Sequence, residues 1–184
     1  MKNKIGFTLV ELLVVVLIVG VLAAVALPQY QKTIEKSKAV QAKTLLSALD
    51  KSVKVYFLNQ GTYPVQLDEL PIQIPAWAGT DHAFISTSHW KEWHAAKDWN
   101  VAYYNGDGNV GVRMERLSGK YRGAFFQWNW MVKEDQRSFV PENKVFCGEI
   151  SPDFKPSEGS YCQKIFHGTK TSPAGRTTRV YQLP

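Results

Sequence analysis

The sequence is poor in sulfur, with two cysteines and three methionines among 184 residues, and it contains no run of five like charges. It has no phosphate-binding loop and no pair of aspartates set in an apolar run, which excludes an ATPase or an intramembrane peptidase within this chain. Serine, histidine and aspartate are all present, but no G-x-S-x-G or similar context gathers them, so a nucleophilic enzyme has no support. Neither glycine nor proline interrupts residues 29–59. The length allows one compact domain plus one extended element and is too short for two ordinary domains.

Lys and Arg exceed Asp and Glu by 22 to 16, a formal charge of +6. Such a surplus permits weak attraction to nucleic acid or anionic surfaces without demanding it, and a solvated surface is the plainer reading. The cysteines, Cys147 and Cys162, lie in a stretch rich in Gly, Pro and Ser. An even count at short spacing reads as one disulfide if the domain leaves the cytosol, and as two free thiols if it does not.

Residues 7–27, FTLVELLVVVLIVGVLAAVAL, form one apolar run broken by a single charge, Glu11. The run matches the roughly 20 residues that span a bilayer as a helix. Lys2 and Lys4 precede it, which places the N-terminus in the cytoplasm and the remainder outside. A cleavable signal with Ala24 and Ala26 at an A-x-A site is one reading, and a plain anchor is another. Neither accounts for Glu11, because a carboxylate in an apolar helix costs roughly 2.5 to 3.5 kcal/mol even on mild insertion scales.

Gly6-Phe7-Thr8-Leu9-Val10-Glu11, behind a basic leader and ahead of apolar sequence, resembles the processing motif of type IV prepilins and their relatives, the pseudopilins of type II secretion. The resemblance covers about the first 30 residues. It implies cleavage between Gly6 and Phe7 by a prepilin peptidase and N-methylation of Phe7. It casts Glu11 as the assembly residue, its carboxylate pairing with the new Phe7 amine of a neighbouring subunit. A buried charge then has a partner, and the pair sets register. The implied partners are identical or related pilins and an inner-membrane assembly platform driven by a cytoplasmic ATPase. No cofactor is implied. The implied location is the bacterial inner membrane before assembly, as a single-pass protein with its head extracytoplasmic, and then an extracellular pilus or periplasmic pseudopilus.

Gly20 and Pro28 are candidate helix-break residues, since Pro28 removes a backbone donor and clashes with the preceding turn. In filaments of the family that stretch tends to be unwound, and a simple kink at the membrane surface is the alternative. Beyond it, Ile34, Ala42, Leu45, Leu46, Leu49, Val53, Tyr56 and Phe57 recur at helical spacing and mark one face. Lys32, Lys36, Lys43, Asp50, Lys51 and Lys54 fall mainly elsewhere and are expected to be wet. The two halves together predict a helix of roughly 80 Å.

Asn59-Gln60-Gly61 is a helix stop, and residues 67–70 suit one short helical turn. Residues 99–104, 110–116 and 121–132 read as successive strands, with Phe126, Trp128, Trp130 and Val132 alternating with a solvent-facing Gln127 and Asn129. The expected class is α+β, a long N-terminal helix packed on an antiparallel β-sheet head, the type IV pilin fold. The expected division is a leader at 1–6, a transmembrane and assembly half at 7–28, an amphipathic half at 29–60 and an extracytoplasmic head at 61–184. The Cys147 to Cys162 segment resembles the disulfide-bounded region of type IV pilins, and its composition argues against regular structure inside it. Residues 177–183 suit a last strand, with 168–175 as a loop.

Asn105-x-Asp107-x-Asn109 has the alternate oxygens of a calcium loop, but Val110 and Arg116 stand where the turn glycine and closing Glu are needed, so a hairpin turn is the better reading. His82, His89 and His94 lie close in sequence without a metal-ligand spacing. Trp77, Trp90, Trp93 and Trp99 with Lys91 and Lys97 read as core, or as a stacking surface for single-stranded nucleic acid in an adhesive or DNA-capturing tip subunit. The cysteine pair and the missing calcium pattern favour a pilin over a pseudopilin.

Overall fold

In the computed structural model, the described residues are 8–72, 92–95 (by their backbone), 98–117, 119–138, 140–150, 159–173 and 178–184. Contacts divide the chain into two units, Met1–Ser37 and Lys38–Pro184. One helix, α1 (Leu9–Gln60), passes from one to the other and is uninterrupted at both Gly20 and Pro28.

Within the first unit α1 is exposed from Leu9 to Ile34. Every described residue from Thr8 to Leu27 is exposed, and the helix is long and apolar enough to cross a membrane. Helix formation here needs no tertiary partner, because the backbone satisfies itself within the segment.

The second unit begins with the rest of α1, whose buried residues are Ala39, Ala42, Leu46, Leu49, Asp50 and Val53. Steps of three and four put them on one stripe. The stripe lies against an antiparallel sheet of β1 (Glu92–Ala95), β2 (Trp99–Gly106), β3 (Asn109–Arg116), β4 (Ala124–Met131), β5 (Phe146–Ile150), β6 (Thr169–Lys170) and β7 (Thr178–Gln182). The sheet order is β1-β2-β3-β4-β5-β7-β6. The class is therefore α+β, a long N-terminal helix and an antiparallel sheet. Val101, Tyr103, Val112, Met114, Phe126, Trp130, Cys147 and Tyr181 share the main core with the stripe. Burial of this many large apolar side chains, at roughly 25 cal/mol per Å², is the main force holding the layers together.

The β2–β3 hairpin closes through Asp107 and Gly108, both at positive φ (50° and 76°), the geometry of a two-residue type I′ turn. At the exit of α1, a 3-10 turn (Leu67–Glu69) carries the Glu69 carboxylate, which accepts from the amides of Val65 at 2.8 Å and Gln66 at 2.9 Å and from the Tyr56 hydroxyl.

Three expectations change. Asp50 is buried rather than wet, because its carboxylate accepts from the Trp130 indole at 2.9 Å and from Lys54 at 2.8 Å. Lys43 is half-buried, with its ammonium 5.4 Å from the Phe126 ring centre and 5.6 Å from that of Phe166, and burial holds its pKa below the usual value. Gln127 and Asn129 do not meet solvent either. Arg113 Nε donates to Gln127 Oε1 at 2.8 Å, Gln127 Nε2 to Asn129 Oδ1 at 2.7 Å, and Asn129 Nδ2 to the Pro141 carbonyl at 3.3 Å, a polar ladder on the second face of the sheet. Phe125, Phe146 and Val180 form a smaller apolar cluster on that face. The alternation itself holds; both sides of the sheet are covered. The 168–175 loop also contains one short strand, β6.

Candidate assembly site and head

Gly6 and Phe7 lie outside the described residues. Glu11 lies in the first turn of α1, where its carboxylate accepts from the Thr8 amide at 2.8 Å and the Thr8 hydroxyl at 2.7 Å. The Glu11 amide in turn donates to Thr8 Oγ1 at 3.3 Å. This is a reciprocal capping box, Thr-x-x-Glu, which satisfies orphan amides of a helix start. Sequence reasoning singled out Glu11 and passed over Thr8, although the four-residue signature is readable. All three bonds are exposed, so a second donor can reach the carboxylate.

Gly20 has nothing within 4 Å of where a Cβ would stand, and Pro28 sits inside the helix. The surface around them is continuous with Leu12, Val16, Ile18, Leu22 and Val25, each half or more exposed. An isolated subunit with such a rod needs lipid or other chains to cover it.

In the head, the residues of the calcium-like pattern are committed elsewhere. Asn105 donates its amide to the Pro64 carbonyl at 2.9 Å, Asp107 accepts from Tyr104, and Asn109 accepts from the Lys133 amide at 2.9 Å. Trp99 is buried against Phe126 and under the Arg116 guanidinium, 5.2 Å from its ring centre. Trp77, Trp90, Lys91, Lys97, His82 and His89 fall outside the described residues. Trp93 and His94 lie on β1, known by its backbone.

Cys147 and Cys162 form a disulfide with both residues fully buried. Of the segment they bound, residues 147–150 and 159–162 are described, and the expectation of irregular structure between them falls outside the described residues. β5 continues through Ile150, and residues 159–166 form consecutive turns that end in an αL arrangement, with His167, at a φ of 57°, donating its amide to Gln163 O at 2.9 Å, and Gly168 N donating to Cys162 O at 2.9 Å.

Two carboxylates, on strands that flank β4, have contrasting surroundings. Glu149 on β5 is fully buried and richly bonded. Glu115 on β3 is also buried, and its Oε2 meets no donor among the described residues. Burial pushes Glu115 up to about 7, against the opposing pull of Arg113 and Arg122. Burial likewise lowers Arg113 to about 10. Asp98 behaves differently. Burial raises it, but hydrogen bonds from Lys38 at 3.0 Å and Arg116 at 3.2 Å outweigh that and leave it below its ordinary value. Among the described residues no group of three His, Cys, Asp or Glu side chains is placed to hold a metal.

Residues 1–27 match the family model of the prokaryotic N-terminal methylation motif. Over 59 residues the chain is 46% identical to the type IV major pilin protein PilE1 of Neisseria gonorrhoeae, covering 32% of this chain and 36% of that protein. It is 46% identical over 59 residues to a fimbrial protein of Neisseria meningitidis serogroup B, covering 32% and 35%. With the type IV major pilin protein PilA of Myxococcus xanthus it shares 47% identity over 62 residues, 34% of this chain and 28% of that one. The matched part thus spans about a third of these relatives' length. No solved structure matches the chain significantly. With the methylation motif at its start, a capped Glu11 and the long apolar helix behind it, the N-terminal third of the chain is similar to that of type IV major pilins.

Proposed function

We propose that the chain is a structural subunit of a type IV pilus-like filament and performs no catalysis. Residues 1–6 serve as a leader removed at Gly6 by a prepilin peptidase, Phe7 becomes the methylated first residue, residues 7–28 act as membrane anchor and assembly surface, residues 29–60 as the amphipathic half of the helix, and residues 61–184 as the extracytoplasmic head. The observation that carries this reading is an apolar helix, exposed along its whole first half, with one charge at its start. Lipid covers that surface before assembly, and identical or related helices cover it afterwards.

Glu11 gives the assembly its register. In the lone subunit its carboxylate rests on Thr8 of the same chain. In the filament the Phe7 amine of a neighbour supplies a positive charge, and a pair buried among apolar helices forms only at the correct stagger. The inner-membrane platform and its cytoplasmic ATPase supply the work of extraction from the bilayer.

Mass spectrometry of the mature chain tests the processing step. A methylated Phe7 start is expected, and a start at Leu27 would instead mean an ordinary signal peptide. For assembly, Glu11→Leu should abolish filaments in sheared surface fractions while the subunit still accumulates in the membrane. Filaments at normal yield and length from that variant would overturn the role of Glu11.

A further inference from the structure

Glu149 is a fully buried side chain two residues beyond Cys147 on the same strand. Its Oε1 accepts from the amides of Tyr161 and Cys162, both at 3.0 Å, and its Oε2 accepts from the amide of Gly159 at 2.8 Å and from the Tyr181 hydroxyl at 3.2 Å. Arg179 Nη1 stands 3.9 Å from Oε2. Three amides of one turn, a phenol and a guanidinium therefore converge on one carboxylate. The amide donors all belong to the far end of the loop that the disulfide bounds.

From this convergence we infer that Glu149 is a noncovalent latch that closes the Cys147–Cys162 loop independently of the sulfur bridge. The ionised carboxylate does on one side of the loop neck what the disulfide does on the other. Hydrogen bonds to a charged acceptor are about twice as strong as neutral ones, and in a water-free setting they resist local opening. The turn itself needs this acceptor, because the first amides of a helical turn have no partner within it. Gly159 has a φ of +70°, a left-handed backbone conformation that side-chain-bearing residues rarely adopt, at the entry to the turn. The αL closure at His167, with the Gly168 amide on the Cys162 carbonyl, secures the other end of the same turn. The neck of the loop thus stays closed in a chain whose cysteines are not joined.

Amide hydrogen exchange on the full-length chain in detergent micelles tests this. The deciding variant carries Cys147→Ser and Cys162→Ser with Glu149 intact. The amides of Gly159, Tyr161 and residue 162 should keep their protection within about tenfold of the wild type, measured against the Val112 and Met114 amides of β3 as an internal reference for the folded head. Adding Glu149→Gln to that variant should speed exchange at these three amides by a further tenfold or more relative to β3, reflecting the loss of charge-assisted bonds of about 1.5 to 3 kcal/mol. If the cysteine-free variant with Glu149 intact already exchanges these amides as fast as an unstructured loop while β3 stays protected, the disulfide alone holds the loop and the latch does not exist. That measurement decides the matter even if the Glu149→Gln variant fails to fold.

Discussion

Asp50 shows what a single charge can do in the wrong-looking place. It stands on the buried stripe of α1, yet it is satisfied on both oxygens, by Trp130 from the sheet and by Lys54 one turn on. Replacing it by Ala leaves a buried indole N–H without an acceptor, so Asp50→Ala should lower the stability of the head by about 1 to 3 kcal/mol. Lys54→Ala removes a partner whose side chain is half-exposed and should cost less than about 1 kcal/mol. Urea denaturation of the full chain in detergent, followed by tryptophan fluorescence, compares the two. Glu115 and Asp98 give opposite pH dependences in separate windows. The folded chain keeps a proton on Glu115 up to about 7, whereas the unfolded chain releases it near the ordinary glutamate value of 4.5, so between those limits the contribution of Glu115 to stability falls as pH rises. Asp98 is depressed below 3.8, so its contribution is present above that value and is lost as pH falls through the lower folded value. Urea midpoints across this range should show Glu115→Gln flattening the upper slope and Asp98→Asn flattening the acid one. A Glu115→Gln profile that parallels the wild type above pH 4.5 would count against the burial argument.

At the scale of elements, β4 and β5 lock together through a missing side chain. Gly148 faces Phe125 across the strand pair, and a Cβ on Gly148 would lie 1.9 Å from Cζ of that ring. No small adjustment relieves so short a contact with a ring that is itself fully buried. Gly148→Ala should therefore destabilise the head by about 3 kcal/mol, at the upper end of ordinary overpacking, and a Phe125→Leu companion should recover part of that loss. The β2–β3 turn is a milder case. Gly108 has space around it but a φ of +76°, so Gly108→Ala should cost about 1 to 2 kcal/mol through backbone strain alone. Thermal melts of the two variants should rank them in that order.

The whole molecule is two units with different solvents. Residues 8–28 are exposed throughout and contribute no side chain to the head core. A chain lacking residues 1–28 should therefore keep the urea midpoint of the full-length head within the roughly 0.5 kcal/mol expected of changes at exposed sites, while losing membrane association. A large fall in the midpoint would mean that the membrane half supports the head. The opposite asymmetry applies to the disulfide. Opening it by Cys147→Ser and Cys162→Ser should lower global stability by about 3 kcal/mol on the chain-entropy view, even though the Glu149 contacts keep the loop shut in the folded state.

Much of this was written in local pattern. The apolar run of 7–27, the helical spacing of Leu46, Leu49 and Val53, the Asp107-Gly108 turn and the alternation of Phe126, Trp128 and Trp130 each depend on residues a few positions apart, and the helix, the hairpin and the core face follow from them. The capping box of Thr8 and Glu11 belongs to the same class, legible and overlooked. Tertiary structure alone decided the rest. That Asp50 is buried depends on Trp130, eighty residues away in sequence. Whether Gln127 and Asn129 meet water depends on Arg113 and on the segment at Pro141. Glu149 became the centre of its loop because strand β7 and a turn bring their donors to one point. Periodicity records which face of an element is apolar, but a polar side chain can be buried wherever distant groups supply its hydrogen bonds, and those partners are chosen by packing rather than by neighbours in the chain.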